Sequence, residues 1–424
     1  MRRVILHSDI NCCYAQIECQ AHPEIRSKPV VVAGKEELRH GIVLAKNEHA
    51  KAAGIKTADT LWEARKKCPG LIVLPPNYEL YKRVSSLARR LYYDYTDCVE
   101  PFGLDEAWLD ITGSLHVLGL TPRQIAEDIS ERMKAELGVT VSIGISWNKI
   151  FAKFGSDYKK PDAITEITPE NYRDIIWTAP VRELLYVGAA TQRKLHSCGI
   201  NTIGELAHAS NELLKRRFGK VGFVLRSFAR GEDTTEVKPL DLALMDVNRE
   251  VKSYGNGITF PRDITDEQTA KAVIWMLAES VSQRMREDKV RCRTVEIAIR
   301  SGLDLGCITR QCPTRTPTSI TPEIAHVAWS LTQANHHFCE EDPVRALFVR
   351  ATKLEPEERG MQLALFDPIG NRPAMERLDG AIDGLRQRYG NNCIVWGPKA
   401  QDADAWIMDA KQENTVHPVS YFHR

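Results

Sequence analysis

The chain has 424 residues, 43% of them hydrophobic and 27% charged, with a formal net charge of +1. This length leaves room for roughly three domains or a few more small ones, and the balance is that of an ordinary soluble protein. A charge near zero excludes no partner, because it conceals two basic segments: residues 182 to 230 hold nine Arg or Lys against three Glu, and residues 284 to 315 hold eight against four acids.

The opening "MRRVILHSDI" has a three-residue apolar stretch followed at once by polar residues, which is not a signal peptide. No apolar run approaches the roughly 18 residues that span a bilayer, so no membrane contact is expected and the cytoplasm is the expected compartment. Eleven cysteines make an odd set without framework spacing, and a reducing compartment would keep them as thiols. The grouping of Cys307, Cys312, His336, His337 and Cys339 fits no familiar zinc module.

In chain order, "RRVILHSD" and "KPVVVAG" read as strands, with helical spacing between them from Tyr14 through Ile17. "GIVLAKNEHAKAAGIK" turns from strand to helix and closes at Gly54, and the helix "ADTLWEARKKCPG" stops at Pro69 and Gly70. A strand "LIVLPP" and a long helix from Tyr78 to Tyr95 follow, then two strands joined by a turn in "CVEPFGLDEAWLDIT". "TPRQIAEDISERMKAELG" is an amphipathic helix with a Thr cap and Pro in its first turn, and "VTVSIGIS" alternates as a strand. This alternation to about residue 166 predicts an α/β or α+β layer. Short helices with glycine stops occupy 168 to 233, and "GEDTTEVKPLDLALMD" reads as a polar connector. From 245 to 350, β-rich segments flank two helices, one with Val273, Leu277, Val281 and Met285 on a single face. Met375, Leu378, Ile382, Leu385 and Tyr389 predict a short amphipathic helix in the tail.

Three acids stand out. Asp105 and Glu106 are neighbours in an apolar strand context, preceded by a turn at Gly103 and Leu104. Two such carboxylates repel and lose hydration unless a cation compensates them, and magnesium bound by carboxylate oxygens would do so. Asp9, at the end of "VILHSD", is a third ligand if the two strands are neighbours; alone it reads equally as a cap, and the pair equally as a solvated turn. "GISWNKIFAKFGSDYKKPDAI" places Lys149 and Lys153 one turn apart on a helix and ends in Lys159 and Lys160, a pattern suited to a polyphosphate. "ELLYVGAATQRKLHSCGINTIGELAHA" reads as helix, Gly-containing hairpin at Val187 and Gly188, and helix, a module that grips a DNA phosphate through backbone N–H groups.

Taken together, "SDINCCYAQIE", "AKNEHAKAAGIK", "GLDEAWLDITG", "GISWNKIFAKFGSDYKKPD" and the hairpin module resemble, in order, the motifs of Y-family translesion DNA polymerases. The nearest likeness is the bacterial DNA polymerase IV (DinB/UmuC-like) group, over roughly residues 3 to 350. The resemblance implies an α+β multidomain, right-hand polymerase. Its palm would be 1–10 and 77–166, its fingers 11–76, its helix-hairpin-helix thumb 167–233, a linker 234–244, an α/β little finger 245–353, and a tail 354–424. It implies template-directed, low-processivity DNA synthesis across damaged or distorted template by a monomeric nucleotidyltransferase, with primer-template DNA and dNTPs as substrates and a mutator role in damage tolerance. Two Mg²⁺ ions per active site, with Mn²⁺ able to substitute, would be held by Asp9, Asp105, Glu106 and the Ile10 carbonyl.

By the same resemblance Tyr14 is the steric gate against ribose, and Cys12, Cys13, Lys51 and Lys160 meet the triphosphate. Gly188, Thr191 and Lys194 would contact the DNA backbone. Gln362, Leu363, Leu365 and Phe366 of "GMQLALFDP" resemble the peptide that binds the sliding clamp, the β subunit of the replicative polymerase. The chain departs from the family pattern at Glu48, where a tyrosine is usual, at Lys51 in place of Arg, and at Asn11 in place of a second acid. Ile42 and Leu44 are larger than usual near the templating base. A catalytically silent adaptor of the same fold would lack the acids, a haloacid-dehalogenase-type phosphatase would need a second Asp at position 11, and a pure DNA-binding scaffold leaves Asp105 and Glu106 unexplained.

Overall fold

The computed structural model describes residues 3–34, 41–247, 251–359, 372–390 and 393–394. Gln362, Leu363, Leu365 and Phe366 lie outside them. The described residues divide into two compact units, one up to Val247 and the other from Val251 onward.

Strands β1 (Ile5–Ile10), β2 (Val30–Ala33), β3 (Val43–Lys46), β4 (Ile72–Leu74), β5 (Val99–Phe102), β6 (Glu106–Asp110), β7 (Val141–Ser146) and β8 (Ile164–Glu166) belong to the first unit. They form a five-stranded sheet of order β5-β6-β1-β7-β8 and a three-stranded sheet of order β3-β2-β4. All six residues of β1 are buried, because β1 is central and has no exposed edge. Leu6 and Ile10 enter one core with α1 (Cys13–Ala21), α4 (Tyr78–Tyr93) and α6 (Pro122–Leu137), while Ile5 packs on the other side with Trp108. Full burial of each such side chain contributes about 1.5–3 kcal/mol.

Local chemistry accounts for the helix ends. Thr121 caps α6 in a reciprocal capping box with Gln124, Pro122 opens it, and Gly138 closes it in the left-handed region at φ 63°. Asn47 caps α2 (Glu48–Ala52), Thr60 caps α3 (Leu61–Lys67), and Asn148 caps α7 (Lys149–Tyr158). A short α5 (Ser114–Leu118) follows β6. Helix α7 lies directly on β7: a Cβ on Gly144 would stand 1.9 Å from the Ala152 carbonyl oxygen.

Beyond β8, the helices α8 (Ala189–His196), α9 (Ile203–His208), α10 (Asn211–Phe218) and α11 (Lys220–Ala229) share a separate apolar core with Ile150, Phe151 and Phe154 of α7. The residues before the 187–188 hairpin make only a 3₁₀ turn at Val181–Glu183, not the full helix that the pattern suggests. Pro180 opens that turn, and the Val181 N–H is drawn instead to the Asn201 carbonyl at 2.8 Å.

Residues 234–247, read as a polar connector, are seated on the first unit. Val237, Leu240 and Val247 are buried, the Lys238 N–H donates to Glu100 at 3.0 Å, and the Leu240 N–H to the Asp97 carbonyl at 2.8 Å.

In the second unit β9 (Ser253–Ile264), β10 (Val290–Ser301), β11 (Cys307–Thr318) and β12 (Val344–Pro356) form an antiparallel sheet of order β11-β10-β12-β9. Helices α12 (Glu267–Glu287) and α13 (Thr321–Asn335) cover one face, with Val273, Leu277, Val281 and Met285 all buried. The tail helix α14 (Arg372–Tyr389) forms, but it docks through charge rather than through its apolar stripe. Asp383 meets Arg286 at 2.6 Å and Arg386 meets Glu279 at 2.8 Å, while Leu378, Leu385 and Tyr389 stay exposed.

Candidate active site

Antiparallel pairing sets Asp9, one residue from the end of β1, opposite Glu106, the first residue of β6. Asp105 lies in the preceding turn, where Gly103 takes φ +82°, a conformation that glycine adopts without a steric cost. The Asp105 carbonyl accepts the Ile10 N–H at 2.9 Å, which pins the turn to the strand. One oxygen from each of Asp9, Asp105 and Glu106 lies within 4.8 Å of the others. Sheet registry thus brings Asp9 to a pair of acids nearly a hundred residues further along the chain.

Helix α7 and the loop after it aim two lysines at this cluster. Lys153 Nζ is 3.1 Å from Asp9, 3.0 Å from Glu106 and 3.0 Å from Asp157. Lys160 Nζ is 2.5 Å from Asp9 and 2.7 Å from Asp157. Four carboxylates facing two ammonium groups formally leave two negative charges in excess. Burial, followed by the nearby Glu106 and Asp9, pushes the Asp105 carboxyl up to about 7. Burial likewise raises Asp9, with Lys153 opposing. For Lys153 burial works against the charge, but Glu106, Asp9 and Asp157 together carry its pKa above the ordinary lysine range.

Hard carboxylate oxygens with this excess charge fit a hard divalent cation. Glu106 Oε2 supports the fit: it is buried without a hydrogen bond. So is the facing atom, His7 Nε2, 3.3 Å away. The Ser156 hydroxyl donates to the Lys153 carbonyl at 2.8 Å and therefore accepts from His7 Nδ1 at 2.8 Å. His7 is then the Nδ1–H tautomer, with a lone pair turned toward Glu106. Burial, then Lys153, lowers its pKa well below the ordinary value and keeps the ring neutral. Sequence reasoning missed His7 and Asp157; the only signal for His7 was its place two residues before Asp9, on the same face of a strand.

Of the two α7 lysines read as a polyphosphate pattern, only Lys153 reaches the cluster. Lys149 is buried, pairs with Glu100 at 2.8 Å and lies 4.5 Å from the centre of the Trp108 ring. A spacing of four residues on α7 does not put both ammonium groups in one place, because their long stems diverge toward different partners.

The Tyr14 ring, on the first turn of α1, stacks on Tyr81 at 4.3 Å and 7° and meets Tyr78 edge-on at 6.0 Å. Tyr81 is itself held by its hydroxyl, which donates to Glu18 at 2.6 Å. Cys12 takes φ 49° at the N-terminus of α1, and no side chain caps that helix end. Cys13 is buried just inside it. The Cys12 thiol donates to Glu48 at 3.3 Å, and burial followed by Glu48 pushes its pKa up to about 11. Lys51 pairs with the same Glu48 carboxylate at 3.4 Å, so Glu48 draws Lys51 and Cys12 toward itself. A cavity of about 400 Å³ adjoins Cys12, with Asn11, Gln16, His49 and Asp162 among its walls.

Gly188, Thr191 and Lys194 are not part of this cluster. They lie along α8: Gly188 is its N-cap without a side-chain cap bond, Thr191 is in its first turn, and Lys194, in its last turn, stands 5.0 Å from the centre of the Phe218 ring. Among the described residues, no helix is long and apolar enough to cross a membrane.

Comparison with known proteins adds the following. Sequence profiles match the impB/mucB/samB family over residues 8–157, its C-terminal domain over 251–365, and a DNA polymerase-iota thumb domain over 183–233. The chain is 46% identical over 402 residues to a DNA polymerase IV of Acetivibrio thermocellus, covering 95% of this chain and 98% of that one. It is 37% identical over 399 residues to DNA polymerase IV 1 of Bacillus subtilis, covering 93% and 92%. A solved Y-family DNA polymerase chimera shares its fold, with a TM-score of 0.70 at 21% identity over 82% of this chain and 98% of that one.

Proposed function

The chain belongs to the impB/mucB/samB family and is a DinB-type Y-family DNA-directed DNA polymerase with the right-hand fold, and from that premise we propose that it performs translesion synthesis. The reaction is template-directed nucleotidyl transfer from dNTPs to a primer end, with release of pyrophosphate and low processivity. The observation that carries this reading is the convergence of Asp9, Asp105 and Glu106 under Lys153 and Lys160.

Asp9, Asp105, Glu106 and the Ile10 carbonyl would hold two Mg²⁺ ions, which when bound supply activation of the primer 3′-hydroxyl and charge neutralisation at the leaving pyrophosphate. The protein's own groups position the rest. Lys160 exchanges Asp9 for a phosphate oxygen, and the open N-terminus of α1 at Cys12 and Cys13 offers N–H groups to the triphosphate. Lys51 reaches the same triphosphate only by leaving Glu48. Tyr14, braced by Tyr81, presents a rigid ring where a ribose 2′-hydroxyl would clash.

The five-stranded sheet is assigned to the palm (1–10, 77–166), the three-stranded sheet with α2 and α3 to the fingers (11–76), and residues 167–233 to the thumb. The second unit, described from Val251 onward, is assigned to the little finger, expected over 245–353. Gly188, Thr191 and Lys194 contact a DNA phosphate, and such contacts weaken with salt. Residues 362–366 engage the sliding clamp, and the enzyme works as a monomer. Eleven unpaired cysteines support a cytoplasmic setting.

Primer extension with Mg²⁺ and dNTPs on undamaged and lesion-bearing templates tests the proposal, comparing wild type with Asp105→Ala. Extension past lesions by the wild type and its loss in the variant are expected. Extension that survives the substitution removes the acidic cluster from the chemistry.

A further inference from the structure

The turn that carries Asp105 is held by hydrogen bonds on both sides. Phe102 pairs with Glu106 at the ends of the turn, and the Gly103 carbonyl between them takes a further bond. On one side Ile10 N–H donates to the Asp105 carbonyl at 2.9 Å. On the other, Arg89 of α4 donates through Nη2 to the Gly103 carbonyl at 2.9 Å. The second arm of the same guanidinium, Nη1, donates to the Met245 carbonyl. Met245 lies near the end of the seated 234–247 strap and takes φ +48°.

We propose that Arg89 is a positioning residue for the acidic site, through which the seating of the 234–247 strap sets the geometry of the Asp105 turn. The proposal rests on the reading of Asp9, Asp105 and Glu106 as a divalent-cation site. A guanidinium is a planar, rigid fork, so the distance between the two carbonyls it joins is fixed by the fork itself. The strap is anchored along its length: Arg3 donates to the Thr234 and Thr235 carbonyls at 3.2 and 3.0 Å, Lys238 N–H bonds Glu100, and Leu240 is buried in the core of the sheet. In the chain it is followed by the second unit, described from Val251 onward. A pull on the strap is therefore delivered at Met245 and passes through Arg89 to the Gly103 carbonyl, two residues before Asp105. Carboxylates that bind a metal lose affinity when supporting hydrogen bonds are removed, typically by about 10- to 100-fold.

The test is Mn²⁺ binding to the full chain, followed by electron paramagnetic resonance without DNA or nucleotide, with thermal unfolding as the check on folding. Arg89→Ala is expected to bind Mn²⁺ about tenfold more weakly, and Arg89→Lys, whose single ammonium cannot span both carbonyls, to fall between. Leu240→Ala, which loosens the strap, is expected to weaken Mn²⁺ binding in the Arg89 background and to add nothing in the Arg89→Ala background. Asp105→Asn separates the two readings. If it has lost Mn²⁺ while Arg89→Ala binds as wild type does, the role of Arg89 is overturned. If Asp105→Asn itself binds as wild type, the cation site falls and this inference with it. An equal effect of Leu240→Ala in both backgrounds overturns the coupling to the strap. Should Arg89→Ala fail to fold, unchanged affinity in both Arg89→Lys and Leu240→Ala overturns the proposal.

Discussion

Lys153 reaches Asp9 across 3.1 Å of buried space, and the same ammonium touches Glu106 at 3.0 Å. It balances the acids when no cation does, so protein folding and cation binding draw on the same carboxylates. Replacing Lys153 with Met should destabilise the cation-free protein by about 3–5 kcal/mol, the usual cost of leaving a buried charge unpaired. Millimolar Mg²⁺ should restore much of that loss. Thermal unfolding with and without Mg²⁺ checks this, and a loss that Mg²⁺ does not reduce refutes it.

Asp105 titrates at about 7 in the folded chain, well above the range of a free carboxyl. The folded state therefore binds this proton more tightly than the unfolded state does. Its contribution to stability is fully present below the unfolded pKa of about 3.9 and is lost as pH rises through about 7. Asp105→Asn should flatten that slope in the cation-free protein. It should also raise the melting temperature of the first unit at pH 8 by about 2 °C, the shift expected for ~1 kcal/mol in a unit of roughly 250 residues. Affinity for Mn²⁺ should rise over the same window, because the cation requires the deprotonated form.

Tyr14 is a single ring held in place by Tyr81. Tyr14→Ala should raise ribonucleotide incorporation at least about tenfold relative to deoxynucleotides, equivalent to ~1.4 kcal/mol of lost discrimination. Tyr81→Ala, which removes the stacking partner, should give a smaller rise in the same direction. Competition between dNTP and rNTP in primer extension measures both, and an unchanged ratio in Tyr14→Ala excludes it as the gate.

Gly144 lies where β7 meets α7, and an added methyl group would fall 1.9 Å from one backbone atom and 2.5 Å from another. Backbone cannot yield as a flexible side chain can. Gly144→Ala should cost more than about 4 kcal/mol and leave little folded protein, whereas Gly380→Ala, which meets nothing within 4 Å, should be close to neutral. Denaturant unfolding of the two variants separates packing from glycine content.

Deleting residues 362–366 should leave basal primer extension unchanged and abolish its stimulation by the sliding clamp. Stimulation that persists in the deletion variant would show that the clamp is held elsewhere.

Short-range chemistry was legible in the chain itself. Thr121 and Pro122 announced the start of α6, and β1, β6 and β7 stand where apolar patterning and turn residues put them. Asp9, Asp105 and Glu106 could be singled out because acids at strand ends in apolar surroundings carry a cost that demands compensation. The order of motifs was enough to mark the family. Other features depend on which surfaces meet, and one-dimensional spacing does not encode that. Lys149 and Lys153 look alike in sequence, yet one is buried against Glu100 and the other reaches the carboxylates. The polar residues of 234–247 hid a strap whose few apolar side chains find the sheet. Helix α14 has the apolar spacing of a core helix but docks by Asp383 and Arg386, because the surface it meets presents Arg286 and Glu279. Element type, caps and candidate ligands follow from interactions within a few residues, so the sequence alone determined them. Lys149 finds Glu100 across 49 residues and Lys153 finds Asp9 across 144, and only the tertiary structure decided those partners.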